Sequence, residues 1–226
     1  LQWGCSDPAQ MSWLDQPPAV NLQAAKRLLR MLGALDGERL SAQGQKMAAL
    51  GNDPRLAAML VSAKSDDEAA TAAKIAAILE EPPRMGNCDQ GVAFSRNQPA
   101  WQQRSQQLLK RLNVRGGEAD SSLIAPLLAG AYADRIARRR GQDGRYQLAN
   151  GMGAMLDADD ALSRHEWLIA PLLLQGSASP DARILLALPV DIDELVQRCP
   201  QLVQQSDTVE WDDAQGTLKA WRRLQI

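Results

Sequence analysis

The sequence predicts an α+β chain of several domains: two helices around a small β wing, then an all-helical stretch, then a β-rich remainder of short strands. Three observations carry this. Apolar residues recur at three- and four-residue spacing from Leu22 to Leu112. Beyond about residue 121 that period gives way to short apolar runs separated by Gly, Pro, Asp and Asn. The 226 residues hold about two small domains, or three very small ones, at roughly 100 residues each.

Residues 20–50 read as helix, tight turn, helix. Asn21 is placed to cap a helix whose apolar face is Leu22, Ala25, Leu28, Leu29 and Leu32, with Pro17 and Pro18 ahead of it and Gly33 ending it. Leu35-Asp36-Gly37-Glu38 carries an Asp-Gly turn signal that joins two short strands. Ser41 caps a second helix through Met47 and Leu50. With a strand expected at residues 1–3, residues 1–53 follow the grammar of a winged-helix domain.

Residues 54–113 read as all-helical. Pro54 opens a helix with Leu56, Met59, Leu60 and Ala63 on one face. Ser65 and Glu68 form a capping box, and Asp66 and Asp67 sit near the positive end of the next helix dipole. That helix is alanine-rich, with Ile75, Ile78 and Leu79 as its larger apolar residues, and Pro82-Pro83 stops it. Residues 84–97 read as a loop or a shortened helix. Pro99 restarts a helix with Trp101, Leu108, Leu109 and Leu112 on one stripe, ended by Gly116-Gly117. One more helix is expected over 121–131. Its alanine-rich neighbours pack closely, because small side chains let backbones approach.

Residues 132–226 read as β-rich. Runs 134–140 and 145–150 flank Gly141-Gln142-Asp143-Gly144 as a hairpin, and Gly151-Met152-Gly153 bends the chain between strands. Strands are expected at 167–174 and 183–188. A short helix capped by Asp191 follows at 192–198, and a last hairpin joins 207–211 to 217–224. Such strands suit a small barrel or sandwich.

Composition excludes several classes. The apolar stretches at 123–128 and 184–190 are far shorter than the ~18 residues that span a bilayer. No charged and apolar leader pattern is present, so no membrane partner and a cytoplasmic location are expected. Cys5, Cys88 and Cys199 are odd in number and far apart, which indicates neither a disulfide framework nor a zinc ribbon. Gly-Lys never occurs, so no P-loop lies within this chain. The single histidine, His165, has no second histidine at zincin spacing and reads as structural or solvent-facing. Ser121-Ser122 and Asp159-Asp160 complete no triad or acid/base pair; helix capping and a solvated turn explain them. No catalytic, cofactor or metal-ligating residue is assigned.

The positive signal is Arg135-Ile136-Ala137-Arg138-Arg139-Arg140, with Arg145 and Tyr146 across the turn. Net charge is only −2, yet no lysine occurs between Lys110 and Lys219, so every basic side chain there is an arginine. Arginine holds phosphate in a planar, bidentate way that lysine cannot copy. In a strand, Arg138 and Arg140 face one side and Arg139 the other. Arginines on a hairpin beside an aromatic suit a nucleic-acid backbone with base stacking; a solvated edge strand blunted by charge is the plainer alternative. The six tryptophans are spread out and read as core anchors.

These residues resemble the region after the ATPase core of DEAH/RHA-type RNA helicases. The likeness is carried by Trp3-Gly4-Cys5-Ser6-Asp7-Pro8 and Trp13-Leu14-Asp15, Leu32-Gly33-Ala34-Leu35-Asp36, Leu40-Ser41-Ala42-Gln43-Gly44 and Asp53-Pro54-Arg55-Leu56. It continues in Ala131-Tyr132-Ala133-Asp134-Arg135-Ile136-Ala137 and His165-Glu166-Trp167-Leu168-Ile169. Gly51-Asn52 and Ala133 depart from the family pattern. The resemblance implies a winged helix over 1–53, a helical ratchet domain over 54–131, and an OB-like β domain with an additional hairpin over 132–226. It implies RecA-like motor domains upstream that supply ATP and Mg²⁺ chemistry, in keeping with a chain that opens without an initiator Met. Single-stranded RNA is then the expected partner, gripped by Arg135, Arg138, Arg139, Arg140 and Arg145, with Arg104 from the ratchet. The alternative is a protein-interaction or regulatory platform of the same helicase, which the acidic residues 191–194 favour. A stand-alone winged-helix regulator is disfavoured, because the second helix offers Gln43, Gln45 and Lys46 but no arginine.

Overall fold

The computed structural model describes residues 11–12, 15–51, 53–83, 88–141, 144–176, 179–212 and 217–225, with the backbone alone from 204 onward. The strand expected at residues 1–3, the turn residues Gln142 and Asp143, and the last hairpin's turn at 213–216 lie outside them. The chain divides into two compact units, residues 1–84 with 91–131, and 85–90 with 132–226.

The first unit opens with α1 (Ala19–Met31), a hairpin of β1 (Leu35–Asp36) and β2 (Arg39–Leu40), and α2 (Ala42–Leu50). Asn21 does not cap α1. The Pro18 carbonyl starts the helix three residues earlier, accepting from the N–H groups of Asn21 and Leu22 at 3.0 and 3.1 Å. Ala25 is exposed, and no residue of α1 is buried; the buried leucine is Leu32, just past its end. The Asp-Gly turn forms as expected, with Gly37 at φ +59°. Ser41 caps α2 by accepting from the Gly44 N–H at 2.9 Å, and its own hydroxyl donates to the Gly33 carbonyl at 2.6 Å.

The centre of this unit is α3 (Pro54–Ser62) and α4 (Asp66–Glu80). Ala63 lies past the end of α3 rather than on its face. Every residue from Arg55 to Leu60 is buried, so the middle of α3 is enclosed over all its faces. Arg55 is accommodated because its Nη1 donates to the Ala131 carbonyl at 2.8 Å. Alanine lets α4 be buried equally widely: Ala69, Ala72, Ala73, Ala76 and Ala77 take little space around Ile75 and Ile78. Its capping box is offset by one residue. The Glu68 N–H donates to Ser65 Oγ at 3.1 Å, while the Glu68 carboxylate accepts from the Lys64 N–H at 2.6 Å.

Where a loop or shortened helix was expected, α5 (Gln90–Ser95) forms. Next is α6 (Pro99–Leu112), with Trp101 and Leu108 buried. Asn113, in the left-handed region at φ +56°, ends α6, not Gly116-Gly117. The glycines serve the next connection. The Gly117 N–H donates to the Asp66 carbonyl at 2.9 Å, and a Cβ on Gly117 would lie 2.0 Å from Asp67 Oδ1. The expected helix over 121–131 splits into a 3-10 turn at Ser121–Leu123 and α7 (Ile124–Tyr132). Asp120, not the serine pair, is the cap, accepting from the Ser122 N–H and hydroxyl at 2.8 Å each.

The second unit is a closed barrel of β3 (Ile136–Arg139), β4 (Arg145–Leu148), β5 (Gly153–Met155), β6 (Trp167–Leu174) and β7 (Ala182–Pro189). The strand order is β3-β4-β5-β7-β6, with β5 and β7 parallel and the other pairs antiparallel. Ala137, Tyr146, Leu148, Leu168, Ala170 and Ile184 fill its interior. Two-residue alternation therefore sends Arg138, Arg145, Gln147 and Arg183 outward. Beyond the barrel, α8 (Ile192–Arg198) is capped by Asp191, which accepts from the N–H groups of Asp193 and Glu194. The last hairpin pairs β8 (Gln204–Asp212) with β9 (Thr217–Gln225) in continuous antiparallel register.

Candidate nucleic-acid interface

The arginine run does not act as one patch. Arg135 lies in a 3-10 turn, where its Nη1 donates to the Pro171 carbonyl at 2.6 Å and its guanidinium sits 5.6 Å from the Tyr132 ring centre. Those contacts tie it to the fold. Arg139 leaves the strand's end at the barrel rim and donates to the Arg164 carbonyl at 3.0 Å. Arg138 points outward from β3; its side chain is 65% exposed and 3.4 Å from Glu166, with the guanidinium 5.3 Å over the Trp167 ring.

Arg140 and Arg145 converge on one carboxylate. Arg140 Nη2 lies 3.0 Å from both oxygens of Asp181, and Arg145 Nη1 is 3.9 Å from Oδ2. Asp181 is nearly buried while both arginines remain about half exposed, so the carboxylate holds two guanidinium groups at the surface. The site depends on Gly153. A Cβ there would lie 1.8 Å from Asp181 Oδ1 and 2.9 Å from Arg140 Nη2. Gly153→Ala is expected to displace Asp181 and lower stability by about 1–3 kcal/mol, measured by thermal unfolding.

The sequence reading missed Arg183. Backbone register aligns it with Met155 and, through Met155, with Arg145 on the outer surface of β4, β5 and β7. It pairs with Asp157 at 2.6 Å and remains 59% exposed. The available signal was the alternation of buried Ala182, Ile184 and Leu186 with outward Arg183 and Leu185 inside an apolar run.

Two aromatic expectations exchange places. Tyr146 is fully buried, and its hydroxyl lies 2.8 Å from the Leu162 carbonyl and 2.9 Å from that of His165, leaving it no face for a base. Burial pushes its pKa up to about 12. Trp167, expected as a core anchor, is only half-buried and lies beside Arg138. Arg104 belongs to the other unit. It forks Glu80 through Nε at 2.5 Å and Nη2 at 2.9 Å, a pairing that raises its pKa further and commits it to α4.

The remaining candidates carry no chemistry. His165 is exposed. Asp160 is half-buried; it caps the turn Ala161–Arg164 and accepts from the Cys88 N–H at 3.3 Å. Burial, reinforced by Asp160, pushes the Cys88 thiol up to about 11, so it is a poor nucleophile. Among the described residues no group of three or more His, Cys, Asp or Glu side chains is placed to hold a metal, and no helix is long and apolar enough to cross a membrane.

Comparison with known proteins adds identity to this geometry. A family model described as the connector region of the ATP-dependent RNA helicase HrpB matches residues 202–226. The ATP-dependent RNA helicase HrpB of Escherichia coli (strain K12) is 96% identical over all 226 residues, which span 28% of that protein. Two solved structures align over the whole chain and 28% of their own. They are the E. coli DExH-box NTPase HrpB, with a TM-score of 0.93 at 96% identity, and the Escherichia coli DEAH/RHA helicase HrpB, with a TM-score of 0.88 at 89% identity. The likeness read from the sequence is thus shown: over its whole length this chain matches one segment, 28% of the full protein, of the DEAH/RHA-type RNA helicase HrpB.

Proposed function

We propose that this chain is the accessory, RNA-gripping module of an ATP-dependent RNA helicase, with a winged helix over 1–53, a ratchet domain over 54–131 and an OB-like domain over 132–226. The observation that carries the reading is the set Arg138, Arg140, Arg145 and Arg183 on the outer surface of the barrel, with the half-buried Trp167 beside Arg138. Small five-stranded barrels of the OB class take oligonucleotides across their second and third strands and the loops after the first and fourth. Here those are β4, β5 and the connections after β3 and β6; Arg140 and Arg145 bound the first connection, Asp181 ends the second and Arg183 lies in the strand that follows it.

Under this reading the arginines hold phosphates, and a base stacks on Trp167 or on the Arg138 guanidinium above it. Asp181, Asp157 and Glu166 hold the arginines in place and offset part of their charge. That keeps the grip weak and reversible, as a moving strand requires. Arg135, Arg139 and Arg104 act as supports: the first two are tied to backbone carbonyls, and Arg104, forked on Glu80, is less exposed than the four barrel arginines. ATP, Mg²⁺ and the RecA-like motor belong to the whole protein, which works in the cytoplasm.

The test is binding of a 12-nucleotide oligouridylate, followed by fluorescence anisotropy at fixed salt. Trp167→Ala is expected to weaken it on the order of tenfold, the worth of one stacked base, and Trp167→Phe to recover most of the loss. An unchanged affinity in Trp167→Ala would remove the stacking role.

A further inference from the structure

The first unit holds a cavity of about 500 Å³ among α2, α3, the start of α4 and the end of α6. Its floor is aliphatic: Leu50, Leu60, Val61, Leu112 and Val114. Its rim carries Lys46, Lys64 and Arg111, and Asp66 is the acidic residue on the described lining. None of the three cationic side chains makes an ion pair among the described residues, whereas Lys26, Arg30, Arg104, Arg138, Arg140 and Arg183 all do. The whole chain carries −2, so this rim is a local concentration of positive charge against the balance of the molecule.

Two properties select the occupant. The cationic rim asks for negative charge. The floor has no aromatic ring, and single-stranded nucleic acid is held chiefly by stacking on aromatic or guanidinium planes. An aliphatic floor is instead complementary to branched aliphatic side chains, presented by a helix at three- and four-residue spacing. A cavity of this volume takes more than one such side chain.

We propose that this cleft docks an acidic amphipathic helix of another protein, with leucine-like side chains on the floor and carboxylates on Lys46, Lys64 and Arg111. The inference is independent of the RNA reading, since the barrel surface belongs to the other unit.

The probe is a fluorescent 14-residue peptide helix with glutamates on its polar face and leucines at i, i+3, i+4 and i+7, titrated into the 226-residue chain. It is expected to bind saturably. A lysine-for-glutamate twin and an alanine-for-leucine twin should each bind at least tenfold more weakly. The combined variant Lys46→Glu, Lys64→Glu, Arg111→Glu should lose at least tenfold in peptide affinity while keeping its oligouridylate affinity and its thermal midpoint. Ala49→Trp, which fills the cleft from α2, should lose peptide binding without charge reversal. Three results would overturn the proposal: no saturable binding, equal binding by the triple variant, or displacement of the peptide by oligouridylate. A peptide that binds this chain but not the full-length E. coli HrpB would also overturn it, because the cleft would then be covered by that protein's own sequence.

Discussion

Tyr146→Ala is expected to lower the unfolding free energy of the barrel unit by about 3–5 kcal/mol, the usual loss when a buried aromatic is cut back to Ala in a packed core. Tyr146 is fully buried in the cluster that also holds Ala137, Leu148, Ala154 and Leu162, so its removal leaves a cavity in the barrel core. Its hydroxyl also donates to the Leu162 and His165 carbonyls, so both lose that donor together with the ring, while the Leu162 carbonyl keeps the His165 N–H at 3.1 Å. Chemical denaturation followed by far-ultraviolet circular dichroism measures the loss. Tyr146→Phe separates the two parts: it keeps the ring and should cost only about 1–3 kcal/mol, the worth of the hydroxyl's two hydrogen bonds.

The same side chain fixes a pH dependence. Burial, partly opposed by the charge of Arg139, raises its pKa to about 12 from the ordinary 10. The folded state therefore holds the phenolic proton more tightly than the unfolded chain does. Its contribution is complete below about pH 10 and is lost as pH rises from there towards 12. Wild type should lose stability over that window more steeply than Tyr146→Phe; parallel profiles would place the titration elsewhere.

Gly44→Ala is the second large effect, and here the obstacle is backbone. A Cβ at Gly44 would lie 2.0 Å from the Ala34 carbonyl oxygen and 2.9 Å from its carbon. No side-chain rotation relieves that contact, so α2 must move away from the chain entering β1. The Ser41 cap on α2 would be strained with it, because the Gly44 N–H is the group Ser41 Oγ accepts from. The expected cost is at or above the ~3 kcal/mol upper end of ordinary overpacking. At an unstrained helical position the same change would stabilise by up to about 1 kcal/mol. A thermal midpoint that stays level or rises would show that α2 does not press on Ala34.

What the sequence revealed follows from which forces are local. The Asp36-Gly37 turn, the Ser41, Ser65 and Asp191 caps, Pro54 at a helix start, and the strand at 167–174 all depend on a few neighbouring residues and appear where the pattern puts them. The end of α6 was misplaced because Asn113 reaches a left-handed conformation before the glycines do. Gly117 instead answers a distant need, close approach to the start of α4, and Gly116 takes a positive φ against Leu109 of α6. The candidate interface was legible in type but not in membership. Composition marks arginine as the basic residue of this region, yet only tertiary contacts reveal that Arg135 is spent on Pro171 and Arg104 on Glu80. Arg183 was hidden inside an apolar strand because strand alternation is visible only once the barrel fixes which side is in. Tyr146 and Trp167 exchange roles for the same reason.

The central claim is that outward barrel arginines hold the phosphates of single-stranded RNA. The measurement that tests it most directly is the salt dependence of oligouridylate binding by this chain, compared with the variant Arg138→Ala, Arg140→Ala, Arg145→Ala, Arg183→Ala. Each phosphate contact contributes about 0.7 to the slope of log affinity against log salt for a single strand. The account predicts that the variant's slope is shallower by about 2–3, with weaker binding at low salt. It also predicts that Arg135→Ala and Arg104→Ala leave the slope where it was. An unchanged slope in the fourfold variant would contradict it.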